Sequence, residues 1–149
     1  MVKRIEQFRG QYFFLSNFYD APVTYLGLTY QNNEAAFQSA KVIGTKQESQ
    51  RCTFTHLAPN EAKRKGRHVL LRPDWETAKD QVMYEIVKDK FTNNPDLQEK
   101  LLATGNAILT EGNTWHDVYW GYDTRQKRGQ NKLGKILMRV RQELKAKGN

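Results

Sequence analysis

Glu34-Ala35-Ala36-Phe37-Gln38-Ser39-Ala40-Lys41 sets a carboxylate, a carboxamide and an amine four and then three residues apart. On a helix those steps return to nearly the same face, so Glu34, Gln38 and Lys41 form one polar stripe. Ala35, Ala36, Phe37 and Ala40 make the other faces apolar. If the helix is enclosed, the stripe needs an internal partner or a ligand, because unpaired buried charge is costly. If it is open, the stripe is a solvated face with weak ion-pair support. A carboxylate beside an amine suits proton transfer and nucleophilic attack.

Three other stretches hold chemistry-bearing side chains. Arg67 and Arg72 lead to Trp75 at an expected helix start. Guanidinium forks and the amides of a helix N-terminus suit phosphate, and an indole offers a stacking plane for a base. Trp75 is equally the first residue of a core face, in phase with Ala78 and Val82. Glu111 and Asp117 flank a loop that leads through Trp115 to Tyr119 and Trp120. Cleavage of a sugar–base bond needs such neighbours: carboxylates that stabilise charge at the anomeric carbon or orient water, and rings that hold the base. A loop this aromatic is either core or a site. Finally, Gly129 permits a close turn, and Asn131 is expected to cap the last helix, whose amides suit a phosphate. From Arg125 onward there are nine basic residues and one acid, Glu143, a pattern that an ordinary solvated face also produces.

Other chemistries fall away. His56, His68 and His116 are isolated and lack metal-ligand spacing with Cys52 or an acid, so no metal is expected and they read as surface or hydrogen-bonded histidines. No serine sits in a nucleophile elbow, and Cys52 lacks a nucleophile's context.

These groups must be positioned by one domain, residues 1–149, because 149 residues is a single domain's length. Such a chain buries about 70% of its unfolded surface. Seven Phe, seven Tyr and three Trp exclude disorder, and a lone cysteine excludes a disulfide scaffold. No run approaches the ~20 apolar residues of a membrane helix, and residues 1–7 have no apolar leader. A cytoplasmic protein without a membrane partner is expected. The net charge of +8 points to an anionic partner: phosphate, nucleotide or nucleic acid.

The first third leans to β, with a hairpin of Val23-Thr24-Tyr25 and Leu28-Thr29-Tyr30 around Leu26-Gly27. A helix from Glu34 to about Ile43 is expected to be capped by Asn33 and ended by Gly44. Pro59 opens a short helix that ends near Gly66. Asp74 is expected to cap a long helix, residues 75–92, with Trp75, Ala78, Val82, Met83, Ile86, Val87 and Phe91 on the buried side. Asn94-Pro95 starts another, with Leu97, Leu101 and Leu102 inward and Gly105 as its stop. Ala107-Ile108-Leu109 is extended. The last helix, about residues 131–145, buries Leu133, Ile136, Leu137, Val140 and Leu144. The fold class is α+β: helix-rich, with a small antiparallel sheet and no Rossmann rhythm.

Leu15-Ser16-Asn17-Phe18, Glu34-x-x-Phe37-Gln38-x-x-Lys41, Gly66-Arg67, Leu71-Arg72-x-x-Trp75, Lys79-x-x-x-Met83 and Lys90-Phe91 follow one another in order. After them come Leu101-Leu102-Ala103-Thr104, Leu109-x-Glu111, Asp117-x-Tyr119-Trp120-Gly121 and Gly129-x-Asn131-x-Leu133-Gly134-x-x-Leu137-Met138. The ordered set spans about residues 8–144 and resembles the NADAR superfamily. That resemblance implies cleavage of an N-glycosidic bond between ribose C1 and an amino group, without a cofactor. Two substrate classes go with it: ADP-ribose on guanine of nucleic acid, and the ribosylamino-pyrimidine phosphates early in riboflavin synthesis. The net charge leans the expectation to the first. A non-catalytic NAD- or ADP-ribose-binding module and a plain basic RNA-binding domain are the other readings.

Through the resemblance, Glu34, Trp75, Glu111 and Trp120 fall on positions held to matter in the family. Chemical grounds extend the catalytic set to Glu34, Lys41, Glu111 and Asp117. They extend the substrate-binding set to Asn17, Phe18, Gln38, Arg67, Arg72, Trp75, Tyr119, Trp120 and Asn131.

Overall fold

The computed structural model describes residues 3–148; Met1 and Val2, at the head of the stretch read as leaderless, and Asn149 lie outside the described residues. In chain order the elements are β1 (Arg4–Ile5), β2 (Val23–Tyr25), β3 (Leu28–Tyr30), α1 (Asn33–Ser39), α2 (Pro59–Gly66), α3 (Trp75–Thr92), α4 (Pro95–Ala103), β4 (Ile108–Leu109), β5 (Gly112–Asn113), β6 (Tyr122–Asp123) and α5 (Lys132–Lys147). They fall into two compact units. One is Asn17–Asn94; the other joins the chain up to Ser16 with everything from Pro95 onward.

In the first unit, the hairpin forms where alternation and the turn residues require it. Val23 pairs with Tyr30 and Tyr25 with Leu28, and Leu26 and Gly27 turn the chain at positive φ. The threonine hydroxyls of the middle pair, Thr24 and Thr29, meet across the strands at 2.9 Å. All seven residues of α1 are buried. Its cap is Asn32, not Asn33: Asn32 Oδ1 accepts from the Ala35 amide at 2.8 Å. Asn33, already helical, instead donates its carboxamide to Asn17 Oδ1 at 3.0 Å. The α-helix ends at Ser39, and Lys41 rides on the tighter 3-10 turn Ala40–Val42.

The long helix α3 keeps its expected bounds and buries Trp75, Val82, Met83, Ile86, Val87 and Phe91. Each such aliphatic or aromatic side chain contributes about 1.5–3 kcal/mol. Asp74 does not cap it with its side chain. The carboxylate is taken by the Arg72 guanidinium, at 2.6 and 2.9 Å. Lys90 also lies in this core at 1% exposure, its cation over the Tyr19 and Phe91 rings. Burial pushes its pKa down to about 7.

The second unit is organised by parallel pairing. β1 runs parallel to β4, and β5 to β6. The antiparallel sheet expected from sequence is therefore the β2–β3 hairpin alone, and the other two strand pairs run parallel. The aromatic stretch within the β-leaning first third is a 3-10 helix, Gly10–Leu15. α5 buries Leu133, Leu137, Val140 and Leu144, while Ile136 is half-buried. Asn131 precedes α5 in the left-handed region and does not cap it with its side chain. Among the described residues, no helix is long and apolar enough to cross a membrane.

Candidate active site

The α1 cluster is built from helix spacing. Glu34 and Gln38, one turn apart, are 8% and 6% exposed. Gln38 Nε2 donates to Glu34 Oε2 at 2.6 Å. The enclosed version of the stripe is thus the one realised, with the carboxamide as one internal partner of the carboxylate.

Gly66, at the end of α2, serves this cluster twice. Its carbonyl accepts from Lys41 Nζ at 3.4 Å. Its missing side chain makes room for Gln38: a Cβ there would overlap Gln38 Oε1 and stand 2.7 Å from the amide carbon. Lys41 is half-buried, and burial pulls its pKa below the ordinary lysine value. Glu34 works against that shift, and the Arg67 cation adds to it.

The substrate-binding candidates of this unit divide by exposure. Asn17 is buried and supports α1: its carbonyl accepts from the Glu34 amide at 3.2 Å, and its Nδ2 reaches Met83 Sδ at 3.5 Å. Arg72 is held by Asp74, and its own amide donates to the Lys41 carbonyl at 2.8 Å. Trp75 packs on Phe37 with ring centroids 5.0 Å apart and is 6% exposed. The core-face reading of its position is the one observed, and it leaves only a rim of the ring to a ligand. Phe18 is half-buried, with Lys63 Nζ 6.0 Å from its ring centroid. Arg67 is exposed.

The Glu111 cluster is built from an extended segment and a loop, tied by hydrogen bonds between residues two to four apart and by Asn131 from twenty residues away. Asn131 Oδ1 accepts from the Glu111 amide, and Asn131 Nδ2 donates to the Leu109 carbonyl, both at 2.9 Å. Asn131 thus fastens the end of β4 to the start of α5. Asn113 Nδ2 donates to Glu111 Oε2 at 3.1 Å and to the Asp117 carbonyl at 2.9 Å. Asp117 Oδ1 accepts from the amides of Tyr119 and Trp120 at 3.1 and 3.0 Å. Those two rings meet edge to face with centroids 4.9 Å apart, and Lys132 Nζ stands 5.1 Å from the Tyr119 centroid. Tyr119 and Trp120 are half-buried; Trp115 is 54% exposed.

Gly121 is required here by close approach. A Cβ on it would collide with Glu111 Oε2 and stand 2.5 Å from the Glu111 carbonyl and 2.6 Å from Asn113 Nδ2. On the far side of the loop, His116 Nδ1 lies 2.7 Å from an oxygen of the buried Asp123. The amides of Arg125 and Gln126 also donate to that carboxylate and help hold its pKa low. His116 is therefore a hydrogen-bonded surface histidine, as expected.

Reading the sequence placed Gly66 and Gly121 within the ordered motifs but gave them, and Asn113, no role in these clusters. One signal for Asn113 was present: in extended chain, residues two apart share a face, which sets Asn113 beside Glu111. Close approach by the two glycines leaves no local trace in the sequence.

Known proteins resemble this chain in sequence and in fold. The NADAR domain matches residues 5–145. N-glycosidase YbiA of Escherichia coli is 37% identical over 131 residues, covering 87% of this chain and 79% of that protein. An N-glycosidase of Nostoc punctiforme is 40% identical over 116 residues, covering 75% of this chain and 72% of the relative. Those names denote hydrolases of N-glycosyl bonds. The chloroplastic riboflavin biosynthesis protein PYRR of Zea mays is 35% identical over 126 residues, which is 78% of this chain but 20% of that longer protein. The NMR structure of E. coli YbiA matches the fold with a TM-score of 0.85 at 33% identity, over 99% of this chain and 89% of the other. With the ordered motifs, the family domain and the fold in agreement over nearly the whole chain, the protein belongs to the NADAR family.

Proposed function

We propose that this chain, acting as one NADAR domain, is an N-glycosidase that hydrolyses the ribose C1–N bond of a ribosylamine-type nucleotide. The observation that carries the reading is the α1 cluster. There a half-buried lysine, its pKa lowered by burial, stands in a row with a buried glutamate. An amine shifted toward its neutral form is a nucleophile, and the carboxylate is a proton carrier.

In the proposed reaction the lone pair of the glycosidic nitrogen expels the ring oxygen, which opens the ribose to an imine at C1. The Lys41 amine adds to C1. A proton passes to the nitrogen of the base, the C1–N bond breaks, and the base leaves with its amino group. Water then adds to the Lys41 Schiff base and releases the sugar as its aldehyde, which recloses. Glu34 or Glu111 moves the protons. In the simpler variant Lys41 only stabilises charge while a carboxylate activates water. Borohydride trapping separates the two: a covalent sugar adduct that is lost in Lys41→Ala supports the Schiff base. No adduct, with full activity in Lys41→Ala, excludes it.

Asp117 holds the turn that carries Tyr119 and Trp120, and these two rings are the proposed surface for base and ribose. Arg67 is the cation offered to phosphate. The preferred substrate is ADP-ribose on guanine of nucleic acid, because Arg125, Lys127, Arg128, Lys135, Arg139, Lys145 and Lys147 are exposed and suit a polyanion. A riboflavin-pathway ribosylamino-pyrimidine phosphate is the second reading, favoured by the name of the maize relative. The test is incubation with both substrates and mass spectrometry of the released base and sugar, with Glu111→Gln and Trp75→Ala as controls. Release from neither overturns the proposal. Equal, salt-independent activity on the modified oligonucleotide and the free nucleotide overturns the nucleic-acid preference.

A further inference from the structure

We infer that Asn113 is a positioning residue for the chemistry of the Glu111 loop: one buried carboxamide orients the Glu111 carboxylate and, through Asp117, the Tyr119–Trp120 pair. The inference rests on the reading of Glu111 as a catalytic group and of Asp117 as the support of the Tyr119–Trp120 pair.

Asn113 is 1% exposed. A carboxamide so deeply buried is tolerated only for the hydrogen bonds it makes. Its Nδ2 donates to Glu111 Oε2 at 3.1 Å and to the Asp117 carbonyl at 2.9 Å. Its Oδ1 accepts from the Asp117 amide at 3.1 Å. Both donor hydrogens and the acceptor are therefore engaged within the loop. Asp117, gripped at its amide and its carbonyl, uses Oδ1 to hold the amides of Tyr119 and Trp120. A series of hydrogen bonds thus runs from the Glu111 carboxylate through Asn113 and Asp117 to the backbone amides of Tyr119 and Trp120.

The support is itself rigid. Asn113 belongs to β5, paired with β6, and its carbonyl accepts from the Thr124 amide at 2.9 Å and the Thr124 hydroxyl at 3.2 Å. Gly121 closes the third side, with room for no Cβ between Glu111 and Asn113.

The bond also sets the chemistry of Glu111. Oε2 receives a hydrogen from Nδ2, and that bond fixes which way the carboxylate faces. Replacing the carboxamide by a carboxylate removes the donor and puts a second negative charge against Glu111. One of two carboxylates that share a site keeps its proton to higher pH.

The experiment measures kcat, KM and the pH profile of ribosylamine-nucleotide cleavage for Asn113→Ala, Asn113→Asp and Glu111→Gln, with folding followed by circular dichroism. The inference expects kcat of Asn113→Ala to fall about 10- to 100-fold with KM little changed, as for a misplaced catalytic group. It expects the acid limb of Asn113→Asp to move to higher pH. A folded variant with wild-type kcat and an unmoved acid limb overturns it. So does a loss of melting temperature alone, which is what a mere loop staple would show. Asn113→Ser, whose shorter side chain has a single donor hydrogen and cannot bridge Glu111 and Asp117 together, replaces Asn113→Ala if that variant does not fold, and its kcat is judged by the same outcome. If Glu111→Gln is fully active, the catalytic reading of Glu111 has failed and the inference with it. If Glu111→Gln is inactive while the Asn113 variants are normal, only the inference has failed.

Discussion

Glu34 and Glu111 each accept a hydrogen bond from a carboxamide, yet the two regions reach that arrangement by different routes. Gln38 meets Glu34 across one turn of a buried helix. Asn113 meets Glu111 from two residues along the same extended segment, where Asn131, twenty residues away, also holds the Glu111 amide. The first arrangement comes with the helix. The second comes with extended chain, but its surroundings are held by Asn131 and by the turn at Asp117. Local geometry can therefore deliver a catalytic side chain from sequence spacing alone, whereas a loop needs extra polar residues whose function is to hold other residues.

A lysine in the α1 unit sharpens the contrast between fold and site. Lys90 is fully buried, and its pKa lies near 7 instead of the ordinary 10.5. Between those values the unfolded chain binds a proton that the folded chain does not, so stability rises with pH across that window. The rise amounts to a few kcal/mol, at roughly 1.4 kcal/mol per pH unit. Urea unfolding at pH 7 and pH 10 should show it in the wild type and not in Lys90→Met. An equal rise in both would place the titration elsewhere.

The two close-approach glycines test the regions directly. Gly121→Ala drives a methyl against the Glu111 backbone, which cannot swing aside. A stability loss of about 1–3 kcal/mol is expected, typical of overpacking, together with a large fall in kcat. Gly66→Ala presses instead on the amide end of Gln38, which can rotate away from Glu34. Its melting temperature should fall less than that of Gly121→Ala, with the damage appearing in kcat. If the two variants lose equal stability, the distinction between a helix-built and a backbone-locked site is wrong.

The smallest effect expected concerns Lys41. Arg67 lowers its pKa, so Arg67→Ala should raise it and move the acid limb of activity to higher pH. Arg67 is exposed, so added salt should shrink the difference between wild type and variant. A move to lower pH would contradict the nucleophilic role given to Lys41.

How much could be read from the sequence follows the same division. α2, α3 and the hairpin lie where periodicity, Pro59 and Leu26-Gly27 put them, and the polar stripe of α1 was legible because it depends on spacing of four. Capping was harder to read. Asn32 and Asn33 are adjacent and equally able caps, and only the entry of the chain into α1 selects Asn32. Asp74 and Asn131 look like caps but find stronger partners in Arg72 and in the Leu109–Glu111 segment. The parallel pairs were out of reach, since β1 and β4 are two-residue strands separated by most of the chain. Asn113 was overlooked although its spacing of two from Glu111 was legible, because its other partner, Asp117, lies in a loop whose course no local pattern reveals.

The central claim is that both carboxamide-held glutamates carry the chemistry. It is tested most directly by comparing Glu34→Gln and Glu111→Gln, each nearly isosteric, for kcat/KM on a ribosylamine nucleotide and for melting temperature. The account predicts a loss of about 100-fold or more in both variants, while each still melts cooperatively as a folded protein. Wild-type turnover in either one would contradict it.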